Sequence, residues 1–265
     1  MSEDQSKINV LPEVPKSVDN ALENLTDLPT KGIGQTFADC WYLVFGGISQ
    51  KAEKKRIKYA IDLENFKAEL NSSISSVPES VRHEPSSQIV LSALDNAKYC
   101  VEEKELRDLF TALLTSSIDS TKTVHPSFAH IISRMSSADA RMLKCFSRET
   151  YFPICDIYRS RQQDDSINIL EENVFIDGPD DLSISEKTLS VSSLLSLGLI
   201  EMPPDLFETN SSLISRFRES EPYLSLLTKY SQQELDLSVK PIRLSVMGKL
   251  FISCCVTKRV YSTVD

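Results

Sequence analysis

The sequence is poor in glycine, with 7 in 265 residues, and it contains three histidines. So few glycines argue against an all-β fold rich in tight turns, and the many Leu, Ile, Lys and Glu residues favour helices. The chain has no G-x-S-x-G, no P-loop, no H-E-x-x-H and no glycine-rich dinucleotide turn. The common catalytic motifs are therefore missing, and we predict neither an enzymatic activity nor a cofactor.

The six cysteines form no C-x-x-C pair and have no metal-like spacing with histidine. Cys100, Cys145 and Cys254 lie on or beside apolar helical faces, which favours reduced, buried thiols over a zinc site. His125 and His130 are five residues apart across a proline, which makes them a poor metal pair on one helix. No metal site is predicted.

No hydrophobic run is long enough to span a bilayer, which takes about 20 residues. The most apolar stretch is Phe37–Ile48, which holds the single tryptophan and precedes a cluster of basic residues. Such a pattern is typical of a buried helix followed by a solvated one, but it also fits contact with a partner or a membrane interface. The candidate contact residues are Phe37, Trp41, Tyr42, Phe45, Lys51, Lys54, Lys55, Arg56 and Lys58.

The formal net charge of −9 argues against nucleic acid as the main partner. The chain starts with the polar, acidic segment MSEDQSKINV, which does not resemble a secretory signal. We therefore expect a cytoplasmic protein, with peripheral membrane association as the alternative. The sequence does not indicate a small-molecule ligand.

The clearest helical pattern lies in Val101–Phe146. Apolar residues recur at helical spacing in its first segment, from Leu106 to Ile118. Pro126 then opens a second segment, and Ser136 or Ser137 is expected to cap a third, with Asp139 in its first turn.

The amino-acid sequence of this block resembles that of the abortive infection alpha family. The resemblance lies in ELRDLFTALLT, HPSF, the Ile131–Ile132 pair and the Met135–Ser136 pair. The resemblance implies a mostly helical fold and a role in phage defence. We interpret His125 as a capping residue at the break and not as a catalytic one. The family-motif residues, all expected to be structural, are Leu106, Phe110, Leu113, Leu114, His125, Pro126, Phe128, Asp139, Leu143, Gly198, Gly248 and Phe251.

The C-terminal part is similar to a winged-helix module. A helix capped by Ser183 or Ser185 ends at Gly198, a two-strand ribbon broken at Pro241 follows, and Ser245 caps a closing helix. The segment 147–181 is expected to be an insertion, partly helical over 147–161 with a break at Pro153, and extended over 166–176. From residue 185 to 265 there are nine Lys/Arg and nine Asp/Glu, so DNA binding by this module is disfavoured.

These patterns predict a mostly α fold in two parts. Residues 1–136 form a helical region, with 1–15 flexible and 71–87 a serine-rich linker, and residues 137–265 form the winged-helix-like α+β region. We predict a non-enzymatic phage-defence component that acts through protein contacts. The alternatives are a membrane-active effector that uses segment 37–58 and a DNA-binding regulator that uses the wing.

Overall fold

The computed structural model describes residues 33–45, 53–146, 151–160, 167–204 and 211–256. Within these ranges the chain forms ten α-helices and one four-stranded sheet. The helices are α1 (Ile33–Phe45), α2 (Glu53–Ser75), α3 (Ser87–Ala97), α4 (Lys104–Ser116), α5 (Phe128–Ser133), α6 (Ser137–Phe146), α7 (Ile184–Ser196), α8 (Ser211–Arg218), α9 (Glu221–Leu226) and α10 (Val246–Phe251). The strands are β1 (Phe152–Ser160), β2 (Ile167–Val174), β3 (Ile200–Glu201) and β4 (Leu235–Leu244). The predicted fold class, mostly α with an α+β C-terminal part, is confirmed.

Helix α4 is the centre of the helical part. It packs against α2, α3, α5 and α6, and its buried face carries Leu106, Phe110, Leu113 and Leu114. The segment Ile252–Val256, which continues α10 as a π-helical turn, also packs on α4. The Ser116 hydroxyl at the end of α4 donates a 2.7 Å hydrogen bond to the carbonyl of Cys254 in that segment.

The sheet is antiparallel throughout, with the strand order β2–β1–β4–β3. Strands β1 and β4 pair without interruption from Phe152 opposite Ile242 to Arg159 opposite Leu235. Because alternate side chains of a strand point to opposite faces, the sheet separates two clusters. Ile154 belongs to the larger core shared with the helices, whereas its neighbour Cys155 belongs to a smaller core that includes residues of α8 and α9.

Three helix N-termini follow the local sequence as predicted, whereas α5 begins at Phe128 and not at Pro126. The Ser136 hydroxyl accepts the N–H of Asp139, and the Asp139 carboxylate accepts the N–H of Ser136. Ser183 caps α7 in the same reciprocal way with Glu186. Ser245 caps α10 by accepting the N–H of Gly248. Each cap satisfies amide groups that have no partner inside the helix.

The linker predicted at 71–87 is wrong in its first part, because α2 continues to Ser75. Ile74 and Val77 are fully buried, so these apolar residues hold the serine-rich segment in the core. The rest of the segment is tied down by backbone hydrogen bonds from His83 to Ile118 and from Ser120 to Val81. Burial of these apolar residues therefore decides the structure of the segment, against the linker that its composition predicts.

The helical interpretation of residues 147–161 is also wrong where the structure describes them, since 152–160 form strand β1. β4 runs through Pro241 without a break, so residues 235–244 form one long strand and not a two-strand ribbon. Segment 147–181, expected as an insertion, supplies β1 and β2 to the sheet. Long-range strand pairing decides these elements, and the local sequence carries little signal for it.

The larger core is continuous across the predicted boundary after Ser136. Phe110 of α4, Leu143 of α6, Phe152 of β1 and Cys254 belong to the same cluster of buried residues. The division of the chain into two regions stays a prediction. The segment 1–15 lies outside the described residues.

Candidate contact surface

Helix α1 is anchored by the aromatic residues that were predicted as contact residues. Phe37 is fully buried, and Trp41 is 1% exposed. The Trp41 ring stacks on Phe66 of α2, with 6.0 Å between the ring centroids. In this conformation Phe37 and Trp41 therefore fix α1 to the core, and contact with a membrane or partner through them would require them to leave it.

The structure describes no side-chain positions for the remaining predicted contact residues. Lys51 lies outside the described residues, and so do the side chains of Tyr42, Phe45, Lys54, Lys55, Arg56 and Lys58. No helix in the described part of the chain has the length and apolar character needed to cross a bilayer.

The outer side of α1 forms a groove with α3. Leu43 is 72% exposed, and Val44 beside it is half-buried. The α1–α3 groove, of about 360 Å³, is lined by Leu43 and Val44 of α1 and by Leu91, Ser92, Asp95 and Lys98 along α3. Neither the exposure of Leu43 nor the groove was predicted from the sequence.

The sequence of α3 explains the polarity of the groove. Its buried face is built from Val90, Ala93, Leu94 and Ala97, two of which are alanines that let neighbouring helices approach closely. Leu91, Asp95 and the following Lys98 are spaced four and three residues apart, so they form a row along one side of the helix. The groove is therefore apolar near Leu91 and charged near Lys98.

The charged end of the groove is held by short-range contacts. The Lys98 ammonium donates a hydrogen bond to Asp95, which raises the pKa of Lys98. The same ammonium lies 4.9 Å from the ring centre of Tyr99, which is largely exposed. The Tyr59 hydroxyl donates a 3.1 Å hydrogen bond to the Lys98 carbonyl, and burial raises the pKa of Tyr59 to about 12. Tyr59 therefore stays a donor at neutral pH.

The family-motif residues lie away from this groove's lining and have structural contacts. Phe128 packs edge-on against Phe251, with 5.1 Å between ring centroids. His125 is exposed, and its Nδ1 accepts the N–H of Ser127 at 3.2 Å, beside Pro126 at the start of the turn into α5. The Asp139 carboxylate also accepts a hydrogen bond from Ser193 of α7 at 3.0 Å.

The two motif glycines stand where a side chain is costly. Gly198 ends α7 with φ of +71°, in the left-handed region that glycine adopts readily. Gly248 of α10 touches the backbone of Leu199, and a Cβ there would lie 1.9 Å from the Leu199 carbonyl oxygen. These glycines let α10 dock on the turn that follows α7.

Two features of the described residues bear on chemistry and on DNA. No group of three or more His, Cys, Asp or Glu residues within them is placed to hold a metal ion. Lys187, the one lysine of α7, is buried, so this helix offers no lysine to a phosphate backbone.

The family model for abortive infection alpha matches residues 58–255. The chain belongs to the abortive infection alpha family. That membership associates the protein with abortive infection. The match begins after α1, so the α1 side of the groove lies outside it and the α3 side lies within it.

A search of the curated proteins finds no match. Among solved structures, the chain is similar to an uncharacterized protein from the hydrocarbon-degrading marine bacterium Alcanivorax borkumensis SK2. The two share 14% identity with a TM-score of 0.32, and the alignment covers 51% of this chain and 99% of that one.

Proposed function

We propose that the protein acts in abortive infection without catalysis, by binding an amphipathic helix of another protein in the α1–α3 groove. The observation that carries this proposal is the exposed Leu43 facing a row of α3 side chains, Leu91, Asp95 and Lys98. A solvent-exposed apolar wall between two helices is a common docking site for a third helix.

The polarity of the groove defines the kind of partner. An incoming helix would place a bulky apolar side chain between Leu43 and Leu91, where both partners lose water-exposed apolar area. Its polar residues would lie at the other end, beside the Asp95–Lys98 pair. Because the groove is open along one side, it fits a row of side chains better than an enclosed small molecule.

The thiols support the absence of catalysis. Burial raises the pKa of Cys155 to about 12 and raises the pKa of four other cysteines, so these thiols stay protonated and poorly nucleophilic at neutral pH. The four are Cys40, Cys100, Cys254 and Cys255.

Two groove variants test the proposal in bacteria challenged with phage. Leu43→Glu places a charge on the apolar wall, and Ser92→Trp fills the groove with a bulky side chain. We expect each variant to lose protection while keeping the thermal melting profile of the parent protein. Leu189→Glu is the matched control, because Leu189 of α7 is as exposed as Leu43 but lies outside the groove.

Protection that survives both groove variants would contradict the proposal. Flotation with anionic vesicles distinguishes the membrane alternative from binding to a protein. If the parent protein co-migrates with the vesicles and Leu43→Glu abolishes this co-migration, the groove is a lipid-binding surface. A salt-sensitive gel shift with duplex DNA would favour the regulator alternative instead.

A further inference from the structure

One half of a sheet face carries exposed apolar side chains, at the end away from the larger core. Ile169 of β2, Tyr158 of β1 and Asp236 of β4 lie opposite one another in a row across three strands. Directly opposed residues of antiparallel strands share a face, and Ile167 joins them two residues along β2. Ile167 is 68% exposed and Ile169 is 53% exposed. We call these four residues the open sheet face.

The other half of the same face is covered. Phe152 and Ile154 of β1 and Ile242 of β4 belong to the larger core. The Phe152 ring packs edge-on against Phe146 of α6, with 4.9 Å between ring centroids. Burial on this face ends at Asp156. Beyond it Tyr158 is half-buried, and Ile167 and Ile169 are exposed.

The charges around the open sheet face are negative. Lys240 is paired with the buried Asp156, and Arg159 is paired with Glu234 at 3.0 Å. Asp236 lies on the face itself and is exposed. Glu172 of β2 is exposed as well, whereas Glu171 opposes Ile157 and belongs to the other face. Lys240 and Arg159 are therefore neutralised by partners, while the Asp236 and Glu172 carboxylates are exposed.

We propose that the open sheet face binds a basic amphipathic helix of a second protein, at a site separate from the α1–α3 groove. A helix laid on a sheet buries one apolar stripe, and here Tyr158, Ile167 and Ile169 provide the matching surface. Lysine or arginine side chains beside that stripe complement Asp236 and Glu172. Such complementarity speeds encounter and selects the partner.

Two other occupants fit less well. A second copy would bring the same carboxylates to the interface, in a protein whose formal net charge is already −9. Addition of a strand to β2 is disfavoured because the β1–β2 register shifts twice, between Cys155 and Ile157 and between Ile157 and Tyr158. Such irregularities are typical of edge strands that avoid further pairing.

Binding of synthetic helical peptides to the full chain tests this surface. The probe is an 18-residue Leu/Lys amphipathic peptide that carries a photoreactive group, and a Leu/Glu peptide of the same pattern is its counterpart. We expect the Leu/Lys peptide to bind with an affinity that falls as salt rises, and to cross-link near Tyr158 and Asp236. The Leu/Glu peptide should not bind.

The variant Ile167→Lys/Ile169→Lys should weaken binding roughly tenfold, because it places like charge in the apolar stripe. The matched control is Leu224→Lys/Val246→Lys, which adds the same charge at exposed apolar positions on α9 and α10 and should bind like the parent.

Three results would overturn the proposal. The first is equal weakening by the control variant, which would show general attraction to an acidic protein. The second is cross-linking outside β1, β2 and β4. The third is a dimer in sedimentation that Ile167→Lys/Ile169→Lys dissociates, because a second copy would then occupy the face.

Discussion

Pro153 of β1 and Pro241 of β4 lie directly opposite each other in the longest strand pair of the protein. Neither has an N–H group, so they occupy a pair that exchanges no hydrogen bonds, and the ladder continues on both sides. The outward side of each proline is also free of ladder pairing, since β2 pairs with β1 only from Cys155 onward and β3 pairs with β4 only at Arg243 and Leu244. The two prolines therefore remove no hydrogen bond from the β-ladder.

The position of this pair predicts which β4 residues tolerate proline. Bonded and non-bonded pairs alternate, so Ser238, opposite Asp156, exchanges ladder hydrogen bonds, whereas Val239, opposite Cys155, does not. We expect Ser238→Pro to reduce the free energy of unfolding by about 3 kcal/mol. Val239→Pro should cost clearly less. Equilibrium urea unfolding of the two variants measures the difference, and equal losses would contradict the assignment of the ladder.

The close approach of α10 to Leu199 predicts a severe effect of Gly248→Ala. The added Cβ would meet a backbone oxygen that already accepts the N–H of Ser245, so the helix has to shift. We expect a loss of about 3 kcal/mol in the free energy of unfolding. Gly198→Ala is the control, since its Cβ meets nothing within 4 Å and only the left-handed backbone, worth about 1 kcal/mol, opposes it. Denaturant titration ranks the two variants, and the reverse order would refute this explanation.

Arg107 of α4 joins two helices through a buried guanidinium that is paired with a half-buried carboxylate. Its Nε lies 3.1 Å from the Glu69 carboxylate of α2, and one guanidinium nitrogen donates to the carbonyl of Val101 at 2.7 Å. Arg107→Ala leaves the Glu69 charge poorly compensated, and we expect a loss on the order of 3 kcal/mol. Lys104→Ala breaks the exposed pair with Asp108 and should cost less than about 1 kcal/mol. Thermal unfolding monitored by circular dichroism compares the two, and similar shifts in Tm would be evidence against a special role for Arg107.

Two capping carboxylates predict a loss of stability in acid. The Ser183 hydroxyl lowers the pKa of Glu186, and the backbone N–H of Ser231 lowers the pKa of Glu234. A carboxyl with a lowered folded-state pKa stabilises the fold above its unfolded value of about 4.5, and this contribution is lost as pH falls through the folded value.

The variant Glu186→Gln/Glu234→Gln should therefore show a smaller drop in Tm between pH 7 and pH 3 than the parent protein. Glu172→Gln, at an exposed position of β2 without a capping role, controls for the loss of a carboxylate. A parallel fall in Tm for parent and double variant would exclude these caps as a source of the acid sensitivity.

Local signals in the sequence were enough to place four helix ends, although not the start of α5 or the end of α2. Ser136, Ser183, Ser245 and Gly198 act through neighbours within a few residues, so their roles follow from sequence spacing alone. Strand β1 was missed because both of its faces are buried where Ile154 and Cys155 alternate, which removes the polar–apolar pattern of a half-buried strand.

The contact surfaces were beyond sequence reasoning for a related reason. Trp41 and Leu43 are both apolar and two residues apart on α1, yet one is buried and the other is exposed. Which side of α1 meets α3, and which half of the sheet the helices leave open around Tyr158, depends on packing among distant elements. Apolar periodicity predicts that a face is buried, but it does not identify an apolar residue that is left uncovered.

The hydrogen bond between Ser116 and Cys254 joins residues 138 positions apart. During synthesis, the face of α4 that receives Ile252–Val256 stays uncovered until that segment has been made and has left the ribosome. The apolar residues on that side of α4 stay exposed until one of the last described segments arrives. A chain halted before this point lacks the segment that covers this side of α4, so those apolar residues would stay accessible to chaperones and proteases.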